Sequence, residues 1–208
     1  MRIFILTFLM LISSMSMINA EPLIDRNAPI AVMDFGVHKG TSNPDFDLLN
    51  AERATSEYVI QYLVDMYHFN IIDKDIFIDK LKAENLNITG LIDPDTAKRI
   101  GEILGVKYII YGNVVNVSLN EEMKEDARVA SNATIKTVTA NIVLRIMDVE
   151  TGSIIMASKG TGVSTSGFGN VLIFFRVGNV KVSQESVHNA LKKAAFQAVD
   201  ILVRRLQC

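Results

Sequence analysis

Two groups of acidic residues stand close enough in the sequence to suggest acid–base chemistry or cation binding. The groups are Asp45, Asp47 and Glu52, and Asp73, Asp75 and Asp79. Paired carboxylates can share a proton, and several together offer the oxygen ligands that hard cations prefer. Helix caps and solvated helix faces explain the same spacing more simply. We therefore predict neither a metal site nor a catalytic pair from these residues.

Other catalytic patterns find little support. The histidines, His38, His68 and His188, are far apart, and no His or Cys residues stand at metal-ligand spacing. Gly160-Thr-Gly162 and Gly167-Phe-Gly169 lack the strand-to-helix context of a nucleotide loop, so we expect them at strand ends. A hydrolase would need a convergent polar site that the sequence does not reveal. We therefore predict that the protein is not an enzyme and that it uses no cofactor.

The composition fits one ordinary globular domain. The chain has 208 residues, of which 49% are hydrophobic and 21% charged, and its formal net charge is −2. No run of Lys and Arg offers the basic surface that the phosphate backbone of nucleic acid requires. We expect no nucleic-acid partner.

The first twenty residues have the pattern of a secretory signal peptide. Arg2 precedes the apolar run Ile3–Ile12, and a small and polar segment follows and ends at Ala20. The apolar run is shorter than the roughly 20 residues that span a bilayer, which argues against a membrane anchor. We predict a signal peptide over residues 1–20 and one domain over 21–208. The single cysteine, Cys208, is far from the position after the signal where a lipoprotein needs it.

The first half of the mature chain reads as short strands alternating with helices. Residues 28–34 and 69–72 are predicted strands, and the apolar spacing over 48–68 predicts a helix with Asn50 at its cap. Asp73 is placed to cap the next helix. Asp93-Pro94 starts a third helix, which Gly105 ends.

The second half reads as long antiparallel strands followed by one long helix. Residues 108–119 and 135–148 are rich in β-branched residues, and the charged stretch 120–132 between them is predicted to be a mobile loop or a hairpin tip. Gly152 can take the positive φ of a tight turn before a third strand over 153–161. The apolar stripe over 184–206, preceded by the expected cap Ser183, predicts an amphipathic helix that packs on the sheet. The predicted fold class is α/β of the α+β type, with a mostly antiparallel sheet, helices packed on one face and a long C-terminal helix.

Several of these segments together resemble the CsgG family, the curli production assembly and transport component with its periplasmic relatives. The resemblance rests on Ile30-Ala-Val-Met-Asp-Phe35, Phe69-Asn-Ile-Ile-Asp73, Asp93-Pro-Asp-Thr-Ala97, the stretch from Gly101 to Gly112, and Leu144-Arg-Ile-Met-Asp-Val-Glu-Thr-Gly152. Their order and spacing match across most of the mature chain.

The resemblance implies a single CsgG-like domain over 21–208, in the periplasm or at the periplasmic face of the outer membrane. It also implies a role in assembly or transport, in which the chain forms a homo-oligomer or binds other envelope proteins. This sequence departs from the curli transporter in two respects. It has no lipid-accepting cysteine after the signal, and residues 120–132 are too few for a long membrane hairpin. A secretion pore is therefore not expected from the sequence.

One segment is a candidate contact strand. Residues 167–183 read as a hairpin that turns at Gly178-Asn179, and its first strand is apolar on both faces. A strand of that kind needs a cover on each face, which can be the C-terminal helix or a loop of the same chain, a neighbouring subunit, or lipid. The possible interface residues are Val171, Leu172, Ile173, Phe174, Phe175 and Val177.

The sequence leaves two functions open. The first is a non-catalytic envelope component that oligomerises or docks on other envelope proteins during assembly or transport of secreted or surface structures. The alternative is a monomeric periplasmic adaptor that binds a peptidoglycan-synthesis enzyme or another envelope protein. That adaptor would use the sheet and the loop from Gly36 to Asp47.

Overall fold

The structure is a computed structural model, and it describes residues 23–37, 50–84, 93–126, 131–169 and 184–206. Within these residues the chain forms five strands and four helices. The strands are β1 (Ile30–Val32), β2 (Gly36–Val37), β3 (Tyr108–Asp126), β4 (Ser131–Asp148) and β5 (Ile154–Gly169); the helices are α1 (Ala51–Tyr67), α2 (Lys74–Ala83), α3 (Pro94–Leu104) and α4 (Gln184–Leu206).

The strands form one mixed sheet in the order β1-β3-β4-β5, with β2 beside β3. Pairs β3–β4 and β4–β5 are antiparallel, whereas β1 and β2 run parallel to β3. The predicted α+β class with a long C-terminal helix on the sheet is confirmed. The predicted strand at 69–72 is reduced to a single parallel bridge between Ile30 and Ile71.

Two apolar layers hold the sheet. The larger joins α1 and α4 to one face, where the alternating residues of β4 are fully buried: Val138, Ala140, Ile142, Leu144 and Ile146. The smaller joins α2 and α3 to the opposite face near β1, around Ile109 and Met147. Helices therefore cover one face along β4 and β5, and both faces only at the parallel end of the sheet.

Local signals set several helix ends. The side chain of Asp73 accepts hydrogen bonds from the backbone N–H groups of Asp75 and Ile76, and Asp93 accepts from that of Thr96. Gly105 ends α3 with a φ of 69°. The prediction for Asn50 was wrong: its backbone is left-handed, with φ 64°, and its side chain makes no capping hydrogen bond. An N-cap side chain reaches the first turn from an extended backbone, and Asn50 is not in that conformation.

The long hairpin corrects two further predictions. Strands β3 and β4 pair up to Asp126 and Ser131, so most of the stretch predicted as a loop or hairpin tip is strand. Gly160 and Gly162 lie in the middle of β5 and not at strand ends. A Cβ at Gly160 would clash with the carbonyl oxygen of Ala194, and one at Gly162 with that of Ala190. Only glycine lets α4 lie this close to the sheet.

Candidate interaction surfaces and polar clusters

The predicted contact strand lies outside the described residues. All six of its members, Val171, Leu172, Ile173, Phe174, Phe175 and Val177, fall in the sequence between the end of β5 at Gly169 and the start of α4 at Gln184. His38, Asp45 and Asp47 also lie outside.

The described members of the acidic and histidine sets serve the helices. Asp73 caps α2, as predicted. His68 ends α1, as predicted, with a left-handed backbone and an N–H that donates to Val64 O. His188 contacts Tyr58, with 3.1 Å between its Nδ1 and the phenolic oxygen, and so joins α4 to α1. Within the described residues no three His, Cys, Asp or Glu side chains come together to hold a metal ion.

A partly buried polar cluster that sequence reasoning missed lies where β1 meets α1 and α2. Lys74 Nζ is 2.7 Å from Asp34 Oδ1, 2.9 Å from Glu57 Oε1 and 2.9 Å from Ser56 Oγ. Ser56 is fully buried and its hydroxyl oxygen is also 2.8 Å from Asp34 Oδ1. The four residues come from three separate segments, since only Ser56 and Glu57 are neighbours, so no local motif signals them.

The chemistry of this cluster is structural. A lysine beside a serine can serve catalysis only where a substrate reaches the serine hydroxyl. Lys74 Nζ contacts two carboxylates, and Ser56 has no surface that a substrate could reach. The cluster ties the helix on one face of the sheet to the helix on the other.

Tyr111 carries the one buried side-chain polar atom without a hydrogen-bond partner in the described part of the chain. Burial raises the pKa of its phenol, while the nearby Arg145 lowers it. The carboxyl of Asp93, also nearby, has a lowered pKa because it accepts hydrogen bonds from the backbone N–H and the hydroxyl of Thr96. The hydroxyl is buried among the apolar residues that join α2 and α3 to the sheet, so we interpret it as a packing compromise.

The edge of β5 that no described strand pairs with is the more promising surface. Two side chains of α4 reach around this edge: Gln197 Oε1 accepts from the backbone N–H of Thr161 at 2.6 Å, and Lys193 Nζ donates to Val163 O at 2.8 Å. Farther along the same edge a groove of about 340 Å³ opens. Its lining residues are Val143, Ala157, Ser158, Lys159, Ile201 and Arg205.

The face of β3–β5 opposite α4, which we call the open face, is polar and partly solvated. Asn141 and Thr161 are opposite each other on it and share a hydrogen bond of 2.7 Å between their side-chain oxygens. Val163 on the same face is 43% exposed. Buried and partly exposed positions alternate along β4. None of the helices in the described ranges combines the length and apolarity that a bilayer crossing requires.

Sequence comparison decides the family. Residues 12–208 match the profile of the family described as curli production assembly/transport component CsgG. The chain belongs to the CsgG family. The resemblance found in the sequence segments is thereby confirmed, and the match covers nearly the whole chain. No curated protein matches the sequence significantly.

Several solved structures are similar to this CsgG-family chain at low identity. The C-terminal domain of LpoB from Escherichia coli is 15% identical, with a TM-score of 0.46, over 73% of this chain and 91% of that one. The protein CT253 from Chlamydia trachomatis is 12% identical, with a TM-score of 0.43, over 87% and 96%. A PelC dodecamer from Paraburkholderia phytofirmans is 14% identical, with a TM-score of 0.36, over 91% and 96%. Likeness at this level carries no argument about function.

Proposed function

We propose that this chain is a non-catalytic component of the bacterial cell envelope that oligomerises or docks on partner proteins during assembly or transport of secreted or surface structures. The observation that carries the proposal is the match to the curli assembly and transport family over residues 12–208. The polar clusters at Lys74 and Tyr111 agree with this role, because each is explained by packing.

The proposed contact segment is residues 171–177. Its sequence is apolar at consecutive positions, so both faces of a strand built from it would need cover. We propose that a neighbouring subunit, or lipid at the periplasmic face of the outer membrane, supplies one of these covers. Export through the signal peptide over residues 1–20 is part of the same proposal.

A charge placed in this segment tests the role. Phe174→Asp would bury an unpaired carboxylate in any subunit contact, so the mass of the assembly measured by sedimentation velocity should fall to that of the monomer. The matched control is Phe196→Asp on α4, where the phenyl ring is 41% exposed and contacts Tyr62 at 4.8 Å between ring centroids. The control should keep the mass of the wild type. An assembly that survives Phe174→Asp unchanged would rule out this segment as the contact.

The second candidate is the monomeric adaptor, and the free part of the β5 edge favours it. This edge offers backbone groups and a groove to a partner without requiring a second copy of the chain. An adaptor should remain a monomer with and without Phe174→Asp. Both the wild type and Phe174→Asp should be retained on a column of envelope proteins. The oligomer model predicts instead that the substitution lowers the mass of the assembly.

A further inference from the structure

The backbone of β5 faces outward at every second residue. β5 lies at one edge of the sheet, and its pairing with β4 is antiparallel. In such a ladder the residues of a pair either exchange both hydrogen bonds or point both backbone groups away. Thr161 and Val163 direct theirs outward, toward Gln197 and Lys193. By the two-residue period, Ala157 and Lys159 do the same.

One stripe of α4 follows this edge and protects only half of it. Residues 193, 197, 201 and 205 are four apart, so they share one side of the helix. The first two, Lys193 and Gln197, satisfy backbone groups of β5. The side chain of the third, Ile201, has no polar atom and cannot form a hydrogen bond with the backbone of β5. The outward N–H and C=O groups of Ala157 and Lys159 therefore have no partner among the described residues.

The unprotected half is the groove. Its walls are apolar at Val143 and Ile201, and its charges are those of Lys159 and Arg205, with no carboxylate in the lining. Both cationic side chains belong to exposed residues, and neither forms an ion pair within the described part of the chain. The groove thus offers two backbone donors, two backbone acceptors, an apolar wall and positive charge.

We propose that this half-edge binds an extended acidic segment of a partner protein, which adds to the sheet as a short strand beside Ala157–Lys159. Strand addition uses backbone hydrogen bonds for affinity and side-chain contacts for specificity. An apolar side chain of the segment would lie against Ile201, and its carboxylates would pair with Lys159 and Arg205.

The added strand must be short. Gln197 and Lys193 occupy the edge at Thr161 and Val163, and an irregularity in the β4–β5 pairing lies between Met156 and Ile154. A segment of roughly four to six residues fills the interval between them. The assignment rests on the proposed docking role, but it uses a surface separate from residues 171–177.

Peptide titration followed by NMR amide shifts tests the assignment on the mature protein. The probes are a hexapeptide of alternating Val and Asp and its counterpart of alternating Val and Lys. The acidic peptide should shift the amides of residues 157–161 and protect those of Ala157 and Lys159 from hydrogen exchange. Lys159→Glu with Arg205→Glu should weaken its binding on the order of tenfold or more, equivalent to about 1.4 kcal/mol. Lys192→Glu, an exposed charge of α4 off the stripe, should not.

A backbone variant separates strand addition from simple charge attraction. Ala157→Pro removes an outward N–H that takes no part in the β4 ladder, a position where a sheet edge tolerates proline. Ala157→Pro should weaken binding of the acidic peptide. Ala157→Ser, which keeps the N–H, should leave that binding unchanged. If Ala157→Pro fails to fold, the charge variants still decide the matter.

Three results would overturn the proposal: no shifts with the acidic peptide, equal binding of the basic peptide, or concentration-dependent shifts at residues 157–161 without peptide, which would assign the edge to a second copy. Sedimentation of the same variants keeps the two proposals apart. An assembly that stays intact in Lys159→Glu with Arg205→Glu leaves residues 171–177 as the contact, whatever the peptide does.

Discussion

The two faces of β5 differ sharply, because one is packed against α4 and the other is exposed. Toward α4, Ser158, Gly160 and Gly162 are buried, and Ser158 Oγ donates to Ala198 O at 2.7 Å. Toward the open face, Lys159 and Thr161 are exposed. The small residues let helix and sheet approach until their backbones nearly touch. Substitutions on the packed face should therefore destabilise the protein far more than substitutions on the exposed face.

The largest expected effect follows from placing one methyl group on the packed face. Gly160→Ala should lower the free energy of unfolding by about 3 kcal/mol, because the new Cβ meets the backbone of Ala194 and not a movable side chain. Thr161→Ala on the open face should cost less than about 1 kcal/mol, since it removes only the exposed hydrogen bond to Asn141. Urea unfolding measures both. Equal losses would show that the two faces are not distinct.

The second-largest expected loss of stability comes from breaking the Lys74 cluster, which joins the two apolar layers. Lys74→Met removes the cation shared by Asp34 and Glu57 and should lower the free energy of unfolding by about 2 kcal/mol, because the Lys74 side chain is only 13% exposed. The comparison is Arg204→Met, which breaks an ion pair with Asp200 whose arginine side chain is 76% exposed. That loss should stay below about 0.5 kcal/mol. A Lys74 variant as stable as the wild type would remove the cluster from the list of stabilising contacts.

The smallest effect has the opposite sign. Tyr111→Phe deletes a buried hydroxyl that has no partner and should raise the free energy of unfolding by about 1 kcal/mol. Tyr67→Phe deletes a hydroxyl that donates to Asp200 Oδ1 at 3.0 Å and should lower it by a similar amount. Thermal unfolding of the pair gives the comparison. A loss of stability in Tyr111→Phe would mean that its hydroxyl is satisfied.

The dependence of stability on alkaline pH gives a second test of the Tyr111 prediction. Burial holds the pKa of this phenol above its ordinary value, so the folded state keeps the proton that the unfolded state begins to lose near about pH 10. The stability linked to the group is complete below that pH and is lost as the pH rises toward the folded-state pKa. The advantage of Tyr111→Phe should therefore grow above about pH 10. A constant difference up to pH 11 would contradict the assigned burial.

The sequence predicted the features that depend on neighbours along the chain. Asp93-Pro94 and Gly105 bound α3, Gly152 has a positive φ of 70°, and α4 spans the predicted residues. Each signal acts within about four residues, so it survives whatever the rest of the fold does. The family was recognised from segments of the same kind.

The misses depend on contacts between distant segments. Gly160 and Gly162 were predicted at strand ends. Glycine is required there by the carbonyl groups of Ala194 and Ala190, which lie some thirty residues away in the sequence. The stripe that caps half of β5 appears only when α4 is placed along the edge. The Lys74 cluster likewise joins residues that no spacing rule connects.

The most direct test of the proposed function is the mass of the protein from Glu21 to Cys208, measured by light scattering with and without mild detergent. A component that assembles through residues 171–177 should give a discrete multimer, and detergent should be needed for it if lipid covers the segment. A monomer in both conditions would contradict assembly by this chain alone and would leave the adaptor.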